Sequence, residues 1–417
     1  MNSETIVLNA PKKHLSGTIK LTGSKSESNR ALIMQALSNG KVKLENLSKA
    51  ADTVTLAHIL NSECATSDVG PAGTAMRFLT AFYTLQTANV LLTGSERMKQ
   101  RPVGILVDAL KQLGAHIEYA EDEGYPPLHI KGPLQQTNSQ VTIRGDVSSQ
   151  YISALLLIAP SLPLGLDLHI TGELTSKPYI EMTLALLEQA GIKYTWKGPI
   201  IHIAQQPFHA CTISVEPDWS AASYWYAMAA LADQAEFFLP GLNGYSLQGD
   251  SQITEIMANF GITSQFKDGG VLLKKEPKIL ERKIFDFKAC PDLAQTVIVC
   301  CAALGHDATF TGLETLKIKE TDRIKALQNE LAKFGVKLIE RNNVYKLDCR
   351  ALHFPDKIYI NTYDDHRMAM ALTPLIFKIK DVEIENSSVV AKSYPHFWDD
   401  LMRITNLTQP SPLERTF

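Results

Sequence analysis

GSKSESNR (residues 23–30), SSQ (148–150), PDL (291–293), KETDR (319–323) and YDDHR (363–367) each crowd small polar and charged residues onto what reads as a strand-to-helix turn. A turn facing solvent needs only a Gly and one capping Ser. The first stretch adds Lys25, Ser26 and Arg30: hydroxyl donors and fixed cations at a helix start, which is the composition of an anion seat. Taken singly, these residues have plainer readings. KETDR can be a solvated first turn with local ion pairs, YDDHR an Asp-capped turn with a surface His–Arg pair, and Ser148 a simple helix cap. Arg77, a full turn into its helix, reads as structural, and His366 alone reads as a hydrogen-bonded histidine.

Together they point elsewhere. Lys25, Arg30, Arg101, Lys319, Arg323, Arg367 and Lys392 all fall at or near such turns. Arginines suit two-pronged recognition of phosphate and carboxylate, and lysines add point charge. Within that cationic set Asp292 and Glu320 are candidates for proton transfer. The chain has no HExxH, no CxxC, no GxGxxG and no GxxxxGK[ST]. Side chains acting on small phosphorylated and carboxylated metabolites are therefore the expected chemistry, with no cofactor and no metal.

The elements that must position these residues repeat. Each unit has a short strand, a turn, an Ala-rich helix, and in most units a second helix that ends in Gly before a β-like stretch. The turns stand at Gly23, Pro71, Asp146, Asp218, Asp292 and Asp365; successive gaps are 72 to 75 residues except the first, which is 48. Gly114, Gly191, Gly261 and Gly335 sit where left-handed C-terminal caps are expected. The reading is α/β: six βαβαββ-like units, the first shortened by about 25 residues because ILNSECATSDVG breaks off before a cap and hairpin. Bulk properties agree. The 417 residues suit two domains, and a net charge of −3 supplies no basic field for nucleic acid or an anionic membrane. The N-terminus lacks a secretory pattern, and apolar runs reach about half a bilayer span. Cys300 and Cys301 lie in an apolar helical run and read as small buried hydrophobes. A reduced, cytoplasmic protein is expected.

GSKSESNRAL, AGTAMR, LTGSERMKQRP, SSQYISALL, SKPYIEMT, QGD, PDLA, KETDR, YDDHRMAMA and AKSYP, in this order, make the chain closely resemble the 5-enolpyruvylshikimate-3-phosphate synthase family. The resemblance runs from Gly17 to about Pro395. It implies two similar domains of three βαβαββ units each, the inverse α/β barrel of the enolpyruvyl transferases, here at 24–215 and at 1–23 with 216–417. It implies transfer of the enolpyruvyl group of phosphoenolpyruvate to the 5-hydroxyl of shikimate 3-phosphate by a monomer.

By motif, Lys25, Ser26 and Arg30 would line the site, with Lys25 touching both substrates. Ser148, Ser149 and Ser176 would hold the shikimate phosphate, with Gln150 and Tyr179 on its ring and Asp292 and Lys319 alongside. Arg101, Arg323, Arg367 and Lys392 would hold phosphoenolpyruvate, with Gly73, Thr74 and Gln150 beside it. Asp292 would be the base, Glu320 the acid helped by Lys25, and His366, Asp365 and Thr315 supporting residues. Glyphosate would occupy the phosphoenolpyruvate subsite. The chain departs from the family's usual residues at Pro71, Phe78, Thr315 and Lys317. Two other readings are the sister transferase acting on UDP-N-acetylglucosamine, which uses a loop cysteine absent from residues 92–102, and a binding protein of the same fold that has lost catalysis.

Overall fold

The computed structural model describes residues 4–9, 13–62 and 64–407. Their contacts divide the chain into two units, Gly23–Glu216 and Met1–Thr22 with Pro217–Phe417.

Each unit contains three small sheets. In Gly23–Glu216, one sheet runs Thr66–Asp68, Asn89–Thr93, Leu128–Lys131, His116–Tyr119, and a second runs Gln140–Arg144, Leu166–Thr171, Ile200–Ile203, Thr195–Lys197. The two leading strands of each are parallel, as a strand–helix–strand crossover requires, and the trailing hairpin adds antiparallel strands. The third sheet is only a parallel pair, Val42–Glu45 with Cys211–Ser214. This is the shortened repeat: its second helix, Ala51–Leu60, is followed directly by the next repeat's first strand.

The other unit has two four-stranded sheets of the same pattern, built around Gln234–Pro240 and Thr309–Thr311. Its last sheet has three strands, with Ile6–Asn9 laid antiparallel on Asp381–Ile384 beside Lys357–Ile360. The sixth repeat therefore also falls short of the full pattern, and its third strand comes from the opposite end of the chain.

Helices begin at the expected turns: Lys25, Gly73, Ser149, Trp219, Ala294 after a 3-10 turn at Pro291–Leu293, and His366. Ser24, Ser148, Asp218 and Asp365 cap four of them, each accepting a backbone N–H of the first turn. The first helices of each trio pack on one another, with the sheets around them. Their sequences explain why: helices apolar on all faces belong at a centre. Trp219–Leu231 is buried at every residue but Ser220, Ser149–Ile158 at every residue but Gln150, and Gly73–Tyr83 at every residue but Thr74. Each exception lies in the first turn, so the unburied positions of these helices stand at their N-terminal ends. Cys300 and Cys301 are buried in the same core, and burial pushes the Cys300 thiol up to about 12.

The second helices end as their glycines require. Gly114, Gly191, Gly261 and Gly335 all have φ between +80° and +96°. At Gly335 the Val336 N–H returns to the Leu331 carbonyl at 3.1 Å. A Cβ there would stand 2.0 Å from the Ala351 carbonyl oxygen. Gly335→Ala is therefore expected to cost about 2 kcal/mol or more in unfolding free energy, strain and clash combined. Urea unfolding of both proteins checks this; equal midpoints would contradict it.

Candidate active site

In the unit containing Pro217–Phe417, one part-buried carboxylate gathers the cations. Asp292, on the 3-10 turn Pro291–Leu293, accepts Arg323 Nη1 on Oδ1 at 3.1 Å and Arg367 Nη2 on Oδ2 at 2.8 Å. Lys319 Nζ lies 4.0 Å from Oδ1. Burial alone would raise the Asp292 pKa, but Arg367, Lys319 and Arg323 outweigh it and hold the carboxyl far below the usual carboxylate range. Arg323, the first residue of the helix Arg323–Ala332, also donates from Nη2 to Glu320 at 2.8 Å and from Nε to Asp365 at 2.7 Å. Burial would lower its pKa, yet Asp365, Glu320 and Asp292 raise it, so the guanidinium stays charged. Glu320 in turn has Lys392 Nζ at 3.5 Å, at the end of the 3-10 helix Ser387–Lys392.

The arrangement alternates Lys392, Glu320, Arg323, Asp292 and Arg367. With Lys319 it offers two carboxylates, Asp292 and Glu320, among four cations, a set able to move protons beside a bound anion. His366 is buried with Nδ1 3.6 Å from Asp365 Oδ1. Thr315 Oγ1 is enclosed without a hydrogen-bond partner among the described residues, and Lys317 turns to Glu340 at 2.7 Å.

In the unit Gly23–Glu216, Lys25 reaches Asp52 Oδ2 at 3.1 Å. Arg30 is 2 % exposed and donates to Thr183 Oγ1 at 2.7 Å, Ser153 Oγ at 3.0 Å, and the Ser26 and Tyr179 carbonyls at 2.8 and 3.3 Å. Its guanidinium also lies on the Phe78 and Tyr179 rings. Burial pushes it down to about 10. Arg30 thus ties the Lys25–Ser26 turn to the helix bearing Tyr179. Ser176, left-handed at φ +55°, starts that helix. Gln150 Nε2 donates to Thr74 Oγ1 at 3.2 Å, joining two central helix starts, while Ser148 caps and Ser149 is buried. Arg101 packs against Gly73, where a Cβ would stand 2.7 Å from both of its terminal nitrogens. Arg77, with Tyr151, grips the Pro102 carbonyl at 2.6 and 2.7 Å and so fixes the Arg101 loop.

Two charged turn residues stand apart. Asp146 pairs with exposed Arg144 at 2.8 Å, and Lys177 with exposed Glu181 at 2.6 Å. Others escaped the sequence reading. Asp52 receives Lys25, and Tyr224 OH and Ser220 Oγ each accept from Arg367 at 3.3 Å. Asp250 of QGD is buried, accepts the Ser220 hydroxyl, and is pushed up to about 7 by burial and by Asp292. Repeat register would have exposed Asp52 and Asp250, since both begin the second helical segment of their repeat, as Ser176 and Arg323 do.

The model of the family described as EPSP synthase (3-phosphoshikimate 1-carboxyvinyltransferase) matches residues 9–62 and 60–401, and the two segments meet where the first repeat is shortened. A 3-phosphoshikimate 1-carboxyvinyltransferase of Bacteroides fragilis is 47% identical over 399 residues, covering 95% of this chain and 97% of the relative. One from Xenorhabdus nematophila is 35% identical over 430 residues, covering 95% and 98%. Among solved structures, an EPSP synthase from Acinetobacter baumannii superposes with a TM-score of 0.76 at 18% identity, covering 96% of this chain and 98% of that one. The enolpyruvyl transferase NikO from Streptomyces tendae superposes at 0.71 and 14%, covering 96% and 98%, so the fold is that of the enolpyruvyl transferases. By sequence match along nearly its whole length, this chain belongs to the EPSP synthase (3-phosphoshikimate 1-carboxyvinyltransferase) family.

Proposed function

We propose that the chain transfers the enolpyruvyl group of phosphoenolpyruvate to the 5-hydroxyl of shikimate 3-phosphate, giving 5-enolpyruvylshikimate 3-phosphate and phosphate on the route to chorismate and the aromatic amino acids. The observation that supports this most is Asp292 held between Arg323 and Arg367, with Glu320 on the other side of Arg323. Asp292 takes the 5-hydroxyl proton as that oxygen bonds to the central carbon of phosphoenolpyruvate. Glu320, with Lys25, protonates the methylene carbon. The resulting tetrahedral intermediate gives a methyl proton back, reforms the double bond and expels phosphate. The residues assigned to phosphoenolpyruvate are Arg101, Gly73, Thr74 and Gln150 of one unit and Arg323, Arg367 and Lys392 of the other. Ser26, Arg30, Ser148, Ser149, Gln150, Ser176, Tyr179 and Lys319 serve shikimate 3-phosphate.

The depressed Asp292 makes a poor base in the empty protein. Substrate anions compete for its cations, weaken their hold and raise its proton affinity when the base is needed. Residues 24–215 carry mainly the shikimate 3-phosphate contacts, and 1–23 with 216–417 carry the acid, the base and the phosphoenolpyruvate contacts. We place the enzyme in the cytoplasm as a monomer with small-molecule substrates alone; no helix among the described residues is long and apolar enough to cross a membrane.

Phosphate release from phosphoenolpyruvate tests the reading. It is expected with shikimate 3-phosphate and not with UDP-N-acetylglucosamine; the reverse preference, or no release with either, would reject it. Arginines and lysines suffice to meet both anions, so dialysis against EDTA is expected to leave the rate unchanged. A loss that Mg²⁺ restores would contradict that.

A further inference from the structure

Glu330 lies seven residues after Arg323 on the helix Arg323–Ala332, two turns along the same face. Its side chain is fully buried, and its carboxylate takes four donors. Oε1 accepts Tyr363 OH at 2.8 Å and Asn361 Nδ2 at 3.5 Å; Oε2 accepts Lys333 Nζ at 2.6 Å and the Asn361 backbone N–H at 3.3 Å. Three of the four come from Asn361 and Tyr363, at the entry to the turn that delivers Asp365 and Arg367. That turn is unusual. Tyr363 and Asp364 are consecutive non-glycine residues in the left-handed region, at φ +55° and +53°. Such a pair persists only where its surroundings over-determine it.

Arg323 holds the far end of the segment through Asp365 at 2.7 Å. A third tie runs from Asn386 Nδ2 to Asp364 Oδ1 at 2.7 Å, and Asn386, itself at φ +42°, starts the short helix that ends on Lys392.

We infer that Glu330 is a positioning residue: it clamps the left-handed Tyr363–Asp364 turn, so that one helix sets Arg323 directly and Asp365 and Arg367 at second hand. The inference deepens the proposed function and rests on it for its kinetic readout. The clamp itself is read independently, by hydrogen exchange of the amides of residues 361–367 followed by mass spectrometry on the intact protein.

Glu330→Gln keeps the shape and leaves one good acceptor where two are needed. It is expected to speed exchange in that segment about tenfold and to lower kcat/KM for phosphoenolpyruvate about tenfold or more, with KM for shikimate 3-phosphate within about twofold. Tyr363→Phe should shift both readouts less and in the same direction, and the double variant should fall no further than Glu330→Gln alone. Leu273→Ala, a core truncation on another sheet, should lower stability and move neither readout. Should Glu330→Gln not fold, Tyr363→Phe carries the same two measurements. Unchanged exchange in Glu330→Gln, wild-type kcat/KM, or equal changes in Leu273→Ala would each overturn the inference. Absence of phosphate release by the wild-type protein would reject the proposed function instead, while exchange still decides the clamp.

Discussion

Asp292→Asn is expected to turn over at about a thousandth of the wild-type rate or less, roughly 4 kcal/mol in the barrier. The amide keeps the shape but cannot take the 5-hydroxyl proton. It also removes the one negative charge that Arg323 and Arg367 share, leaving two guanidinium groups and Lys319 around a neutral side chain. Breaking such a buried pairing costs stability, because the remaining charges lose their compensation. An anion can replace it. The variant should therefore unfold earlier than wild type in plain buffer and recover most of the difference in phosphate or phosphoenolpyruvate.

Kinetically the loss should sit in kcat, with KM for phosphoenolpyruvate unchanged or lower, because the pocket has become more cationic. A raised KM with normal kcat would reverse the assignment and make Asp292 a binding group. The pH dependence has a fixed sign. The native carboxyl is depressed, so its contribution to stability is full above the unfolded-state value, about 4, and disappears only as pH falls toward the much lower native value.

The second large effect concerns Gly73. A methyl there would stand 2.7 Å from Nη1 and Nη2 of Arg101 and 2.9 Å from Cζ. The obstacle is the tip of a flexible side chain, so the guanidinium swings and the helix start stays in place. Phosphoenolpyruvate is short enough to follow the displaced guanidinium, whereas glyphosate, the longer molecule in the proposed subsite, meets the methyl itself. Overpacking of this kind costs about 1–3 kcal/mol, a loss of about fivefold to somewhat over a hundredfold. Wild type is expected to be glyphosate-sensitive. Gly73→Ala should raise the inhibition constant by at least about tenfold and the phosphoenolpyruvate KM by no more than about threefold. Parallel inhibition curves check both, and equal sensitivity would show that Gly73 does not border the anion.

Much of this was legible in the chain because three of the central helices leave only a first-turn residue unburied. Thr74 and Gln150 stand out against their apolar helices as Lys25 and Ser26 do against theirs, and those positions now bond to one another or to a neighbouring turn. What stayed hidden was long-range. Arg30 reads as an anion ligand, and nothing local reveals that its guanidinium is engaged by Ser153, Thr183 and the Tyr179 carbonyl, each well over one hundred residues away. Asp52 and Asp250 look like ordinary first-turn acids, stabilising by charge at a helix start, until the repeats are laid in register. Nothing local marks Glu330, because three of its four donors come from residues 361–363, some thirty residues on. The third strand of the last sheet could not be placed either, since Ile6–Asn9 pairs with a segment nearly four hundred residues further on.

That pairing has a consequence for how the protein is made. Every strand between Gly23 and Glu216 finds its neighbours inside that span, so this unit can close while later residues are still on the ribosome. The opening residues must wait. His14–Thr18 has no partner until Gln234–Pro240 emerges, and Ile6–Asn9 none until Asp381–Ile384 does. These two strands thus precede the early-folding unit in the chain and are ordered after it. A bulky N-terminal fusion would therefore be expected to hinder the late closure of the unit that carries Asp292 and Glu320 more than the early folding of the one that carries Lys25.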